Sequence, residues 1–122
     1  MKGDYKELKV WNKSMQLAAS AYEVARLLPV EEKFDLADQI RRNAVSIPSN
    51  IAEGYGRQSE KEFLQFLFIA RGSTFELETQ IGLCSIIHAS DEKKITDTLN
   101  LIQETGKMIT SLISFLKNKD NQ

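Results

Sequence analysis

What most constrains this chain is the spacing of its apolar residues: between sparse breakers, 2 Pro and 6 Gly in 122 residues, they recur every three or four positions. That is the period of a helix with one buried side. In the first segment Leu8, Trp11, Met15, Ala18, Tyr22 and Ala25 form one stripe, with Val10, Leu17, Ala21, Val24 and Leu28 beside it. An amphipathic helix of about five turns follows. Pro29 and the charged residues Glu31, Glu32 and Lys33 end it. A second helix places Ala37, Ile40, Ala44, Ile47 and Ile51 on one face and reaches a C-terminal glycine signal at Gly54. Pro48 lies inside this pattern, but the apolar period stays in phase across it. A kink rather than a break is expected, with Ser46 and Ser49 placed to hydrogen-bond the loosened turn.

Ser59 and Glu62 make a capping-box signature. It opens a third helix whose seam is Phe63, Leu67, Ala70, Thr74, Leu77, Ile81, Cys84 and His88. Ala89, Ser90 and Asp91 supply the turn and cap of a fourth, with the seam Ile95, Leu99, Ile102, Gly106, Ile109, Ile113 and Leu116. The polar tail, residues 117–122, is expected to fray. Four amphipathic helices with short links predict an all-α, antiparallel up-and-down four-helix bundle, one domain over residues 1–122. A chain of this length buries about two-thirds of the surface it exposes when unfolded, so it needs no metal or disulfide staple.

Composition removes several function classes. The longest apolar run is five residues, Phe66 to Ala70, and residues 1–10 hold no apolar segment, so neither a membrane span nor a signal peptide is expected. The lone Cys84 cannot form an internal bridge, which fits a cytoplasmic protein. With 1 His and 1 Cys there are too few soft ligands for a zinc site, and no Glu-x-x-His pair serves a di-iron centre. Cys84 and His88 share one helical face, but that face is the apolar seam, so packing explains them better than nucleophilic catalysis. Gly54 and Gly56 lack the third glycine and the preceding strand of a dinucleotide fingerprint, and no phosphate loop occurs. No catalytic residue, cofactor, metal or small-molecule substrate is therefore expected. A net charge of −1 also argues against nucleic-acid binding by bulk charge.

Three features exceed the needs of a plain bundle. The first is a polar set on the second helix: Gln39, Arg42, Ser46, Ser49, Asn50 and Glu53, with Arg41 beside it. Short Ser and Asn suit packed, hydrogen-bonded positions better than a solvated face. Arg42, Ser46, Ser49, Asn50 and Glu53 are read as a buried structural network rather than a ligand site. The second is the start of the third helix, apolar nearly all round from Phe63 to Ala70, with Phe75 extending the stripe of Leu64 and Phe68. One side fills the core and the other needs a cover. Leu64, Phe68, Arg71 and Phe75 are read as an oligomer interface, in preference to a helix central within the monomer. Arg71 is expected to pair with Glu53, Glu62 or Glu78. The third is the link Gly54 to Ser59, where free amides, Arg57 and Tyr55 could hold an anion, although a cap and a turn account for the same residues.

The run Arg41 to Gly54, then Arg57, Glu62, Phe63, Phe66, Leu67, the stretch Ile69 to Ser73, and Glu76 to Glu78, resembles the bacterial four-helix-bundle family of 23S rRNA intervening-sequence proteins. Leu8, Val10, Trp11 and the Leu28–Pro29 junction extend the resemblance over most of the chain from Leu8 to Leu83. It implies an up-down bundle that forms a ring-like homo-oligomer, typically a pentamer, with no enzymatic activity. A more distant likeness is to the accessory variability proteins of diversity-generating retroelements, basic pentameric barrels that bind nucleic acid; the near-neutral charge here departs from them. Two functions remain. One is a non-catalytic oligomeric scaffold that engages a protein or RNA partner. The other is direct binding of structured RNA through Arg41, Arg42, Arg57 and Lys61, repeated around a ring.

Overall fold

A computed structural model describes residues 3–88 and 91–120. A 3-10 turn, Tyr5–Glu7, leads into α1 (Lys9–Leu27); a second, Val30–Glu32, precedes α2 (Leu36–Tyr55); α3 (Glu60–Ile87) and α4 (Glu92–Asp120) follow. Each helix packs on its chain neighbour, and α1 closes the array against α4. The result is a four-helix bundle in which α1 lies diagonally from α3, and α2 from α4. No strand occurs among the described residues.

The second, third and fourth seams form the core as the spacing predicts. Ala37, Ile40, Ala44, Ile47 and Ile51 are buried, as are Phe63, Leu67, Ala70, Leu77, Ile81 and Cys84. In α1 the second of the two stripes is the one that faces the core. Val10, Leu17, Ala21 and Val24 point inward, whereas Met15 is 46% and Tyr22 44% exposed. Ser14, fully buried, fills the gap in the inward stripe because its hydroxyl donates to the Trp11 carbonyl at 2.7 Å and needs no external partner.

The proline does not interrupt α2, and Pro48 is itself buried. The glycine that ends the helix is two residues later than the Gly54 expected. The helix continues through Gly54 to Tyr55, and Gly56 closes it by donating to the Ala52 carbonyl at 3.2 Å. Gly54 is needed for space: a Cβ there would sit 2.6 Å from the Phe66 Cβ and 3.0 Å from a Phe63 ring carbon. At this point α2 and α3 touch through backbone and β-carbons, and only glycine fits.

Ser59 caps α3 by accepting from the Glu62 amide at 3.2 Å. The reciprocal half of the box differs from expectation, because the Glu62 carboxylate takes the Ser59 hydroxyl at 3.3 Å instead. Asp91 caps α4 through the Lys94 amide at 3.0 Å. Ala89 and Ser90, expected in that turn, lie outside the described residues. Of the polar tail expected to fray, residues 117–120 are helical and Lys119 reaches Glu60 at 2.8 Å, near the start of α3; residues 121–122 lie outside the described residues.

Candidate functional site

The outer side of α3 carries exposed apolar residues near both ends, separated by Arg71, Glu76, Thr79 and Gly82. On its first half lie Leu64, half-buried, Phe68, and Phe75 at 59% exposure; Leu83 and Ile86, the latter 81% exposed, continue the same side for three more turns. Gly72 and Gly82 fall between them, and a Cβ on either would meet nothing within 4 Å. A helix apolar on both sides forms because the bundle consumes only one of them.

Arg71 interrupts this face without the expected carboxylate. Its guanidinium lies 5.4 Å from the Phe68 ring centre, and the Lys117 ammonium is 5.1 Å from the same ring. The three carboxylates near it in sequence have other partners: Glu53 holds Arg57, Glu62 holds the Ser59 hydroxyl, and Glu78 accepts from Gln103 at 2.6 Å. An aromatic quadrupole replaces the ion pair. Between α3 and α4 runs a groove of about 470 Å³, walled by Arg71, Phe75 and Glu78 on one side and by Gly106, Lys107 and Thr110 on the other.

A second polar arrangement joins α2 to α3. Ser46 and Ser73 share a hydrogen bond of 2.9 Å, and Asn50 donates to the Ser46 carbonyl at 2.8 Å and to its hydroxyl at 3.0 Å. Further along, Asn43 donates to Gln80 at 3.1 Å, and Gln80 to Gln39 at 3.4 Å. Ser73 and Gln80 are buried. Of the residues expected in a network, Ser46 and Asn50 take part. Arg42, Ser49 and Glu53 are exposed; Arg42 bonds Asp38 at 2.9 Å and Glu53 bonds Arg57 at 3.4 Å. Gln39, part of the polar set, also joins; the member missed in sequence, Asn43, carried a signal: Gln39, Asn43, Ser46 and Asn50 repeat at 4-3-4 spacing, a seam in their own right.

The basic residues considered for RNA do not converge. Arg41 donates to the Lys33 carbonyl at 3.0 Å, near the start of α2, while Arg57 stacks 5.0 Å over Phe66 beyond its end. About 20 Å of helix separates the two. Lys61 is exposed on the first turn of α3. The α3 N-terminus, the other anion candidate, is occupied by its own Ser59 cap.

Cys84 and His88 are not coupled as nucleophile and base. Burial, with the Glu32 charge adding to it, pushes the Cys84 thiol up to about 11, the reverse of activation. His88 bonds Glu32 instead, at 2.7 Å, tying the α1–α2 link to the end of α3. Among the described residues no group of three or more His, Cys, Asp or Glu is arranged to hold a metal, and no helix is long and apolar enough to cross a membrane.

Sequence reasoning also missed a second exposed apolar face. Met15, Tyr22 and Val45 lie about half exposed on the α1–α2 side.

The 23S rRNA-intervening sequence protein model matches residues 6–111. A crystal structure of a protein with unknown function from the S23 ribosomal protein family, from Bacteroides thetaiotaomicron VPI-5482, superposes with a TM-score of 0.78 at 28% identity. The match covers 86% of this chain and 95% of that one. No curated protein matches the chain. The arginine- and serine-rich second helix and the two-sided third helix lie inside the matched region, and the chain belongs to the 23S rRNA-intervening sequence protein family.

Proposed function

We propose that the protein is a non-catalytic, cytoplasmic, homo-oligomeric scaffold whose subunits meet through the outer face of α3. The observation that carries this reading is the second, outward set of apolar residues on that helix, in which Phe75 and Ile86 stand mostly in water in the isolated chain. Burying such a side chain is worth about 1.5–3 kcal/mol, and a monomer forgoes that for each one. Interface Leu64, Phe68, Arg71 and Phe75 therefore extends to Leu83 and Ile86. A pentameric ring, as the family resemblance implies, would repeat the face around an axis. Sedimentation equilibrium at micromolar concentration tests this. A stable multiple of the chain mass is expected, and a clean monomer overturns it.

Direct RNA binding has weaker support. Arg41, Arg42 and Arg57 are each engaged by acceptors of their own chain, and the chain is near neutral. If these arginines with Lys61 did contact phosphates, affinity would fall with salt by roughly one log-log unit per contact. Absence of binding to structured RNA at low salt removes that reading.

A further inference from the structure

We infer that the cleft beside the α1–α2 link binds a small phosphomonoester. Arg26, Lys33 and Arg41 hold its doubly charged head, and a compact apolar body rests against Leu28, Pro29 and Val30. The site is separate from the outer side of α3 and does not depend on how copies of the chain assemble.

Three observations carry the assignment. The first is what lines the cleft, a space of about 310 Å³ where the last turn of α1, the link and the first turns of α2 meet. Three cations and five apolar residues form its walls, with no carboxylate, imidazole, thiol or hydroxyl among them. In a chain with a net charge of −1 this is a local imbalance. The acids nearby turn elsewhere: Glu32 bonds His88 at 2.7 Å and Asp38 bonds Arg42 at 2.9 Å.

The second is the lack of counter-ions. Half-buried Arg41 donates from Nη2 to the Lys33 carbonyl at 3.0 Å, which holds the guanidinium against the link and uses one of its five N–H donors. Neither Arg41 nor Lys33 has a carboxylate partner among the described residues. Arg26 pairs with Glu23 at 2.9 Å, but side chains 73% and 44% exposed make a weak pair that yields to a competing anion. The third is the start of α2. Its N-cap residue, Asp35, makes no side-chain cap bond, whereas Ser59 and Asp91 cap α3 and α4. Ala37, in that first turn, lines the cleft, so the positive end of the helix adds to the field of the three cations.

Charge and size then select the ligand. A phosphomonoester carries nearly two negative charges at neutral pH and three acceptor oxygens, which suit guanidinium forks and an ammonium together. The cleft has the volume of roughly ten waters, room for a head group and one ring. With no carboxylate, imidazole or thiol on its walls, it offers binding and not turnover.

Phenyl phosphate is the probe, titrated into the full chain at low salt by ligand-detected NMR, with circular dichroism to verify the fold of each variant. Saturable binding with a Kd of about 1 mM is expected for a ligand of about a dozen non-hydrogen atoms, and phenol and inorganic phosphate should each bind about tenfold more weakly or less. Arg41→Gln should weaken binding about tenfold, whereas Arg42→Gln, one residue along and outside the cleft, should leave it unchanged. Val30→Glu should abolish binding, and because Val30 is 77% exposed this variant decides the matter if Arg41→Gln does not fold. No saturable binding, a loss in Arg42→Gln equal to that in Arg41→Gln, or a Val30→Glu protein that binds like the wild type overturns the site. Benzoate binding as tightly as phenyl phosphate overturns the choice of phosphate.

Discussion

Replacing Gly54 by alanine separates a packing glycine from a capping one. In an unobstructed helix interior, Gly→Ala gains about 0.8–1.0 kcal/mol, through propensity. At Gly54 the new methyl would lie 2.6 Å from the Phe66 Cβ and 3.0 Å from a Phe63 ring carbon. The first of these is attached to the α3 backbone and cannot rotate away, so α2 and α3 must separate locally. Overpacking of this kind costs typically 1–3 kcal/mol. Against the propensity gain, Gly54→Ala should destabilise the bundle by up to about 2 kcal/mol. With a urea dependence of about 2 kcal/mol per molar, the unfolding midpoint falls by up to about 1 M. Gly106→Ala is the control: its Cβ meets only the Thr74 hydroxyl at 3.9 Å, and it should gain about 0.5–1 kcal/mol. If Gly54→Ala moves in the same direction as Gly106→Ala, Gly54 is an ordinary helix-end glycine and the close-approach argument fails.

Thr105 Oγ1 is buried without a partner, so Thr105→Val should raise stability by about 1 kcal/mol in the same titration; a loss would mean that the hydroxyl has a partner. Ser46→Ala strands the buried Ser73 hydroxyl and should cost about 1–2 kcal/mol, and adding Ser73→Ala should recover part of it in a double-mutant cycle. The Cys84 thiol, raised from 9.0 to about 11, stays protonated in the folded chain where the unfolded chain releases its proton. Its stabilising contribution is full below pH 9 and is lost on rising to about 11. Relative to Cys84→Ala, the wild type should lose about 2–3 kcal/mol across that window, and parallel curves would refute the assignment.

Much of the fold was legible because burial imposes a period that no local choice disguises, as in the seams of α2, α3 and α4. The errors share a physical origin. In α1 the sequence leaves two adjacent stripes unranked, because the inward one contains a serine, Ser14, that can be buried by bonding its own helix. Gly54 was misread because a glycine that ends a helix and one that admits a neighbour are the same letter in sequence. Asn43 looks like a surface residue until Gln80 is placed opposite it. For Arg71 the candidate carboxylates can be counted along the chain, whereas the face of the Phe68 ring becomes available only in three dimensions.

The hydrogen-bonded seam between α2 and α3 also sets a height. Apolar ridges slide over one another with modest penalties, but the Ser46–Ser73 and Asn43–Gln80 bonds exist at one register alone. A slip of one turn, about 5.4 Å, would break them and move Phe68, Phe75 and Ile86 by the same distance along the bundle axis. The polar seam thus acts as a ruler: buried on one side of α3, it determines the level at which the apolar side of that helix is presented to its surroundings.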